Sequence, residues 1–480
     1  MTRRFSLAKN FKHIMALLWL VVLYTYLGLA AALSKEGWRS QSIYQLLTDR
    51  YARTNGSEAP CSDLGNYCGG SWQGIINNLD YIQTMGFTAI WISPITENIQ
   101  GDTYDGAAFH GFWPQKINQV NSNFGTAADL KGLSDALHER GMYLMIDMVT
   151  NDMAWEGNYT TVDYSIYDVF DDPSYYHPYC PITDYQDYTN AVECWSGDQH
   201  VTLPDLATES TVVLNKWQTW VSNITTFYGV DGIRLDACLE QDQQFFTPFE
   251  TAADVYIICE VYDYPVQKVC DYQNYVSGLL NFPIWYLVID AFESNSGSMS
   301  NLYDGITQMQ GNCTDVSLLG NFVENHDVDR FPYINTDSAL DQNAIAFVML
   351  NDGIPIIYAG EEQYYSGGFP PADRETTWTS GYDTTNIYYQ LIKSINLFRA
   401  CVIANDPTYL TTNSVPFYLD TQVLGVKKGS TPATQVVSVF NNRGIDAVAY
   451  NFSMPGTGWV AGDIVYDIYT QQNVAIDENA

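Results

Sequence analysis

Arginine and aspartate alternate with apolar residues in the stretch Gly232-Ile-Arg234-Leu-Asp236. This period of two predicts a β-strand whose two faces differ, with Arg234 and Asp236 on the same face. Burying two charged side chains costs free energy unless they pair with each other or take part in chemistry. The stretch is therefore either a buried ion pair or part of an active site.

Two later stretches also place acidic residues directly after apolar runs. Glu260 ends the run 255–259, and Asp327 closes a polar cluster that follows the run 318–323. Carboxylates at the C-terminal ends of parallel strands meet at one end of a (β/α)8 barrel, where such barrels carry their active sites. Asp236, Glu260 and Asp327 together therefore favour an active site.

Eight apolar runs predict strands, and helical patterns separate them. The segment from Ala127 to Arg140 has helical periodicity and ends at Gly141, as a capped helix does. Alternating strands and helices predict an α/β fold, a (β/α)8 TIM barrel formed by residues 33–150 and 210–410. The runs begin at Ser42, Phe87, Met142, Gly232, Val255, Gly278, Leu318 and Ile354.

Two parts of the chain break this alternation. Residues 151–209 are rich in Asp, Tyr, Asn and Pro, and are too long for a simple loop. We expect them to form a small inserted domain after the third strand. Short alternating strands after residue 410 predict a C-terminal antiparallel β-sandwich at 411–480, which we expect to lack its last strands.

The charge and the N-terminus bear on partners and compartment. The chain has 480 residues and a net charge of −34, which repels nucleic acid and anionic lipid and suits a secreted protein acting on a neutral polymer. Basic residues and then an apolar run of roughly 20 residues predict a signal peptide at 1–32. An uncleaved membrane anchor is the alternative. Five sequons fit a secreted glycoprotein.

Four stretches resemble the motif regions of the α-amylase family of retaining glycoside hydrolases (glycoside hydrolase family 13), most closely the secreted fungal α-amylases. The resemblance extends from about Trp38 to the C-terminal end. The stretches are Asp147-Met-Val-Thr-Asn151-Asp152, Gly232 to Glu240, Glu260-Val-Tyr-Asp263 and Phe322-Val-Glu-Asn-His-Asp327.

The resemblance implies a role for each acid. Asp236 resembles the nucleophile and Glu260 the general acid/base of a retaining mechanism. Asp327 resembles the third carboxylate, which binds the distorted sugar. Arg234 would keep Asp236 ionised, with Asp147 as its second partner. The substrate-binding residues implied are Arg234, His326, His110, Trp113 and Arg374.

The resemblance also implies a Ca²⁺ site that joins the inserted domain to the barrel. Hard oxygen ligands suit this cation. The implied ligands are Asn151, Glu193, Asp205 and the backbone carbonyl of Glu240. Glu193 lies beside a one-residue gap relative to the family pattern. Loop-capping polar residues are the alternative interpretation of this set.

Nine cysteines leave at least one thiol unpaired. By resemblance to fungal amylases, three pairs look like disulfide bonds. We interpret Cys238 and Cys259 as small buried hydrophobic residues, and the sequence leaves a bond between them open. Cys401 is also left over. The three pairs are Cys61 with Cys68, Cys180 with Cys194 and Cys270 with Cys313.

Several positions depart from the family pattern. Asp152 stands where the family has His, and Leu239-Glu240 where it has Lys-His. Phe112 replaces a Tyr, and Pro370 replaces an Asp near Arg374. Such changes could shift hydrolysis towards glycosyl transfer, because both reactions share the covalent intermediate.

Three functions therefore remain open from the sequence. We favour an α-amylase that hydrolyses α-1,4-glucans such as starch and glycogen. The alternatives are a 4-α-glucanotransferase of fungal cell-wall α-glucan metabolism and an inactive glucan-binding protein. We expect a monomer, secreted or associated with the cell wall, with no nucleic-acid partner and no stable membrane association once the signal is cleaved.

Overall fold

A closed barrel of parallel strands forms the centre of the computed structural model, which describes residues 33–432, 434–449, 453–470 and 472–477. The expected signal peptide at 1–32 lies outside these ranges. Each barrel strand pairs with its neighbours in chain order, and the last pairs with the first. The predicted TIM barrel and its eight strands are confirmed. The strands are β1 Ile43–Leu46, β2 Ala89–Ile92, β3 Tyr143–Met148, β4 Gly232–Leu235, β5 Tyr256–Cys259, β6 Gly278–Leu280, β7 Leu319–Asn321 and β8 Ile354–Tyr358.

The barrel strands are buried along almost their whole length. Parallel strands covered on both faces have continuous apolar sequences, which explains why these runs were recognisable. Strand β7 is shorter than the predicted run, because the chain leaves the barrel at Phe322 and the polar cluster up to Asp327 forms the loop that follows.

Helices lie between the strands, as predicted. Thr126 and Asp129 form a capping box, in which each side chain bonds the other residue's backbone N–H, and the helix after it ends at His138. The helices are α1 Thr48–Tyr51, α2 Trp72–Asn77, α3 Leu79–Thr84, α4 Ala127–His138, α5 Tyr188–Glu193, α6 Thr211–Tyr228, α7 Phe246–Ala253, α8 Val266–Asp271, α9 Phe282–Phe292, α10 Met299–Asn312, α11 Phe331–Ile334, α12 Ser338–Leu350 and α13 Ile387–Asn405. Within the described ranges, none is long and apolar enough to cross a bilayer.

The irregular segment between β3 and α6 contains little regular structure. A small antiparallel sheet of Trp155–Glu156, Val201–Leu203 and Ser196–Gly197 lies in it, together with α5. Outside this segment, short strands between β2 and α4 form two small antiparallel sheets. These are Thr96–Asn98 with Pro114–Val120, and Asp102–Thr103 with Gly106–Ala107.

The C-terminal strands form two antiparallel sheets. Three strands make one, and two make the other: β9 Val415–Leu419, β10 Val423–Lys428 and β11 Val436–Asn441, then β12 Ile464–Asp467 and β13 Gln472–Ala475. Lys428 of β10 forms a buried ion pair with Asp352 at 2.5 Å, just after α12. Phe440 of β11 packs edge-on against Phe347 of α12. These contacts hold the first of the two sheets against the barrel.

Candidate active site

Arg234 lies at the centre of the cluster of acids. It is 1% exposed, and its Nη1 donates to both carboxylate oxygens of Asp147 at 2.8 and 3.0 Å and to Asp236 Oδ1 at 2.6 Å. Its Nη2 lies 2.7 Å from Glu260 Oε2. The barrel register explains this convergence, because Arg234 pairs with Asp147 of β3 on one side and with Ile258 of β5 on the other. One guanidinium therefore holds three carboxylates.

Backbone hydrogen bonds fix the two predicted catalytic acids relative to each other. The Asp236 N–H donates to the Met148 carbonyl, and the Glu260 N–H donates to the Leu235 carbonyl, both at 2.9 Å. Ala237 has a left-handed backbone with φ of 48°, an uncommon conformation for a residue with a side chain. Its N–H donates to Glu260 Oε2 at 3.2 Å. The turn after Asp236 is therefore bonded directly to Glu260.

Burial and the shared guanidinium shift the pKa values of the three acids in this cluster. Burial raises the pKa of Asp147 and of Asp236 to about 7 and that of Glu260 to about 8. The positive charge of Arg234 lowers each of these pKa values, and the negative charges of the neighbouring acids raise them further. The Glu260 oxygen that contacts Arg234 also accepts from the Ala237 N–H, and both contacts act against the effect of burial. The net direction for Glu260 is nevertheless upward, which is the direction that a proton donor needs.

Asp327 has the opposite environment. Its Oδ2 lies 3.1 Å from His326 Nε2, and its Oδ1 lies 3.1 Å from Arg374 Nη2. Although burial acts in the other direction, His326 and Arg374 lower the pKa of Asp327 below its ordinary value. Gln45 Nε2 donates to His326 Nδ1 at 2.8 Å, which leaves Nε2 as the protonated nitrogen facing Asp327. Gln45 was not predicted from the sequence.

Aromatic rings line the same region. Phe112 stacks on His326 with ring centres 4.9 Å apart, and Trp113 packs edge-on against His110 at 4.7 Å. The Phe112 N–H donates to His110 Nδ1 at 3.0 Å. The ring of Phe112 also lies 5.6 Å from the guanidinium of Arg234. The structure therefore brings together the predicted substrate-binding residues, including Arg374 through its contact with Asp327.

The predicted calcium ligands have unequal surroundings. Asn151 and Asp205 are both 0% exposed, and no hydrogen-bond partner is found among the described residues for either side-chain polar atom of Asn151 or for Asp205 Oδ1. Unpartnered buried oxygens of this kind suit a hard cation. The Glu240 carboxylate accepts a hydrogen bond from Ser196. Glu193 is exposed at the end of α5. The fit to Ca²⁺ is therefore clearest for Asn151 and Asp205.

A separate group of polar side chains lies on the surface. Atoms of Asp105, Asp198 and His200 that could bind a metal lie within 4.8 Å of one another. All three side chains are at least partly exposed, and His200 Nδ1 is already 3.2 Å from Asp198 Oδ2. This group does not include any predicted calcium ligand.

The cysteines differ in one respect from our interpretation of the sequence. The structure contains the three disulfide bonds implied by the resemblance, Cys61–Cys68, Cys180–Cys194 and Cys270–Cys313. It also joins Cys238 to Cys259, so these two are not simply small hydrophobic residues, although both are fully buried. The parallel pairing of β4 with β5 places them side by side, which sequence spacing alone does not reveal. Cys401 is a free, exposed thiol.

Comparison with known proteins agrees with this geometry. Residues 45–393 match the model of the α-amylase catalytic domain, and residues 416–480 match the model of α-amylase domain C. The chain is 47% identical over 446 residues to α-amylase 2 of Schwanniomyces occidentalis, covering 92% of this chain and 87% of that protein. It is 44% identical to the α-amylase of Saccharomycopsis fibuligera, covering 92% and 88%.

A solved structure is also similar over nearly the whole length. The α-amylase from Malbranchea cinnamomea superposes with a TM-score of 0.90 at 41% identity, covering 93% of this chain and 94% of that one. The similarity therefore includes the barrel, the inserted segment and the C-terminal strands. With this similarity and with its carboxylates gathered at the C-terminal end of the barrel, the chain belongs to the α-amylase family of glycoside hydrolases.

Proposed function

We propose that the chain is a retaining α-amylase that hydrolyses α-1,4-glucosidic bonds in starch- and glycogen-type glucans. The observation that carries this proposal is that Asp236 and Glu260 both contact the guanidinium of Arg234, at 2.6 and 2.7 Å. A retaining glycosidase needs one carboxylate as nucleophile and one carboxylic acid as proton donor. The related fungal α-amylases support the same chemistry.

The reaction then proceeds in two displacements. A carboxylate oxygen of Asp236 attacks the anomeric carbon, and the bond to the leaving sugar breaks as Glu260 transfers its proton to that sugar's oxygen. The product is an ester between the glycosyl unit and Asp236. Glu260, now ionised, takes a proton from water, the water oxygen bonds to the anomeric carbon, and Asp236 leaves.

The surrounding residues bind and orient the sugar. Asp327 is kept ionised by His326 and Arg374 and would stabilise the positive charge that develops at the anomeric centre. His326 and His110 are buried, and burial lowers the pKa of both below the ordinary value, so both rings are neutral. His110 accepts from Phe112 at Nδ1 and would donate from Nε2 to a sugar hydroxyl, whereas His326 orients Asp327. Trp113 would pack against a sugar face.

Calcium would bind where the inserted segment meets the barrel. We propose Asn151 and Asp205 as side-chain ligands, with Glu193 and the carbonyl of Glu240 as the further ligands that the family pattern suggests. Such a cation would tie residues 151–209 to the end of β3. We also propose that the protein acts as a monomer in an oxidising, extracellular setting, which four disulfide bonds suit.

An activated substrate tests the two catalytic roles. With α-glucosyl fluoride the leaving group needs no proton, so Glu260→Gln is expected to form the glycosyl-enzyme and stall, because removal of the glycosyl group needs the base. Asp236→Asn is expected to form no adduct. Asp263→Asn is a matched control, since Asp263 lies three residues past Glu260 and pairs with Lys268. Intact-protein mass spectrometry measures the adduct, and an adduct on Asp236→Asn overturns the assignment.

Glycosyl transfer is the second candidate function. The observation that favours it is Asp152, which is 4% exposed, has a carboxylate oxygen with no partner among the described residues, and stands where the family has His. Glu240 likewise replaces the His of the family's Lys-His pair. Incubation with maltoheptaose separates the two reactions, because products longer than the substrate at early times would contradict simple hydrolysis. An inactive binding protein would form no adduct in the fluoride experiment.

A further inference from the structure

A histidine of the inserted segment holds the carboxylate of Asp205. His177 Nδ1 donates to Asp205 Oδ2 at 2.6 Å, and the His177 backbone N–H donates to the Asp205 carbonyl at 3.0 Å. The other ring nitrogen, Nε2, donates to Glu209 Oε1 at 3.1 Å. Because both ring nitrogens face carboxylate oxygens, the ring is fixed at both of its ends.

The backbone around Asp205 is fixed as well. Asp205 pairs with Asp152 and Leu206 pairs with Tyr176 in isolated antiparallel bridges. The Leu206 N–H also donates to the carbonyl of Asn151 at 2.8 Å. Three separate parts of the chain therefore meet at Asp205: the end of β3, the segment around His177 and the segment before α6.

The two oxygens of the Asp205 carboxylate are used differently. Oδ2 accepts the hydrogen bond from His177, whereas Oδ1 is buried without a partner among the described residues, as is Oδ1 of Asn151. A hydrogen bond to one carboxylate oxygen fixes the rotation of the group and leaves the other oxygen for a cation. We propose that His177 is a positioning residue of the calcium site, which fixes Asp205 so that Oδ1 is presented to Ca²⁺. This inference rests on the calcium site proposed above.

The direction in which Ca²⁺ affinity changes on loss of His177 tests the proposal, because the charge of the ring has an opposing effect. A ring that donates from both nitrogens carries a positive charge, which repels a cation bound to the same carboxylate. Loss of His177 would then raise the affinity for Ca²⁺ if charge dominated. Loss of a partner that orients a metal ligand instead lowers metal affinity, typically by about 10- to 100-fold. We expect the second outcome, because the His177 ring makes the hydrogen bond that fixes the Asp205 carboxylate, and alanine cannot make it.

Calorimetric titration of Ca²⁺ into the full chain, freed of metal with a chelator, measures the effect. His177→Ala is expected to weaken binding by about 10- to 100-fold. His177→Asn can still place an amide N–H near the position of Nδ1, so it is expected to restore most of the affinity. His138→Ala is the matched control. His138 lies at the end of α4, away from the proposed site, and its ring also contacts a carboxylate, that of Asp231 at 2.8 Å. This variant is expected to leave Ca²⁺ affinity unchanged.

The outcomes of this titration distinguish failure of the role proposed for His177 from failure of the calcium site on which it depends. If the unmodified chain binds no Ca²⁺, the calcium site and the role of His177 both fall. If it binds Ca²⁺ and His177→Ala binds equally well or more tightly, only the role of His177 falls. Should His177→Ala fail to fold, Glu209→Gln weakens the contact at the exposed end of the ring. That variant is expected to bind Ca²⁺ several-fold more weakly, and unchanged affinity overturns the proposal.

Discussion

Removal of the Cys238–Cys259 disulfide is expected to affect both stability and catalysis. The bond closes a loop of 21 residues between the turn after β4 and the end of β5. In the chain-entropy description, a cross-link of this span lowers the entropy of the unfolded chain by about 11 cal/mol/K, which stabilises the fold by about 3.3 kcal/mol at 25 °C. The double variant Cys238→Ala/Cys259→Ala should lose about that much, and somewhat more because two fully buried sulfur atoms are also removed.

Catalysis should change because the bond joins residues that lie next to the two acids proposed as catalytic. Cys238 is two residues past Asp236, and Cys259 directly precedes Glu260. The Cys238 N–H donates to the Glu260 carbonyl at 2.9 Å, so the cross-link supports the turn that positions both acids. Small displacements of reacting groups are costly, and we expect kcat to fall by about tenfold or more with little change in KM.

The Cys180–Cys194 bond provides the matched control. It closes 14 residues in the inserted segment, for which the same relation gives about 3.0 kcal/mol. Its double alanine variant should lose similar stability in guanidinium unfolding yet keep its kcat. The reasoning is refuted if Cys238→Ala/Cys259→Ala keeps the unfolding midpoint of the unmodified chain. It is also refuted in its catalytic part if both variants have the same kcat.

Three further predictions address calcium, pH and Asp327. A chelator is expected to lower the melting temperature, since a cation at a hundredfold excess over its Kd stabilises the folded state by about 2.7 kcal/mol; an unchanged midpoint counts against the site. Burial raises the pKa of Asp373 to about 8, so the stability it contributes is complete below about pH 4 and is lost as the pH rises to about 8. Asp373→Asn should reduce the fall in the free energy of unfolding between about pH 4 and about pH 8. An unaltered dependence on pH would contradict the raised pKa of Asp373. Lysine cannot keep both contacts of Arg374, so Arg374→Lys should lower kcat by roughly 10- to 1000-fold in steady-state assays; full activity would exclude a role for this contact.

The sequence was most informative where one face of a strand carried charge. Arg234 and Asp236 stood out because a buried strand gives a charged residue no solvent, so each had to have a partner or a role. The eight strands were recognisable for the same reason, since their continuous apolar runs are typical of parallel strands covered on both faces. Local composition thus predicted both the barrel and the position of its acids.

Contacts between distant residues could not be predicted in the same way. Gln45 bonds His326 from 281 residues away, and His177 bonds Asp205 from 28 residues away, so neither pair leaves a local pattern in the sequence. The Cys238–Cys259 bond depends on the register of β4 and β5, which spacing does not fix. For Gln45 the available signal was a single amide within an apolar run, where a buried polar group requires a partner.

The charge count around Arg234 explains how the site can contain a carboxylic acid at all. Asp147, Asp236 and Glu260 share one buried cation, so three negative charges would leave a net charge of −2 in a region of low dielectric. Protonation of one acid reduces this cost. Asp147 is held by two hydrogen bonds from Arg234 and one from the Trp91 indole at 3.1 Å, which favours its ionised form. The excess of carboxylates over cations thus raises the pKa of Glu260, which is the direction that its proposed role as proton donor requires.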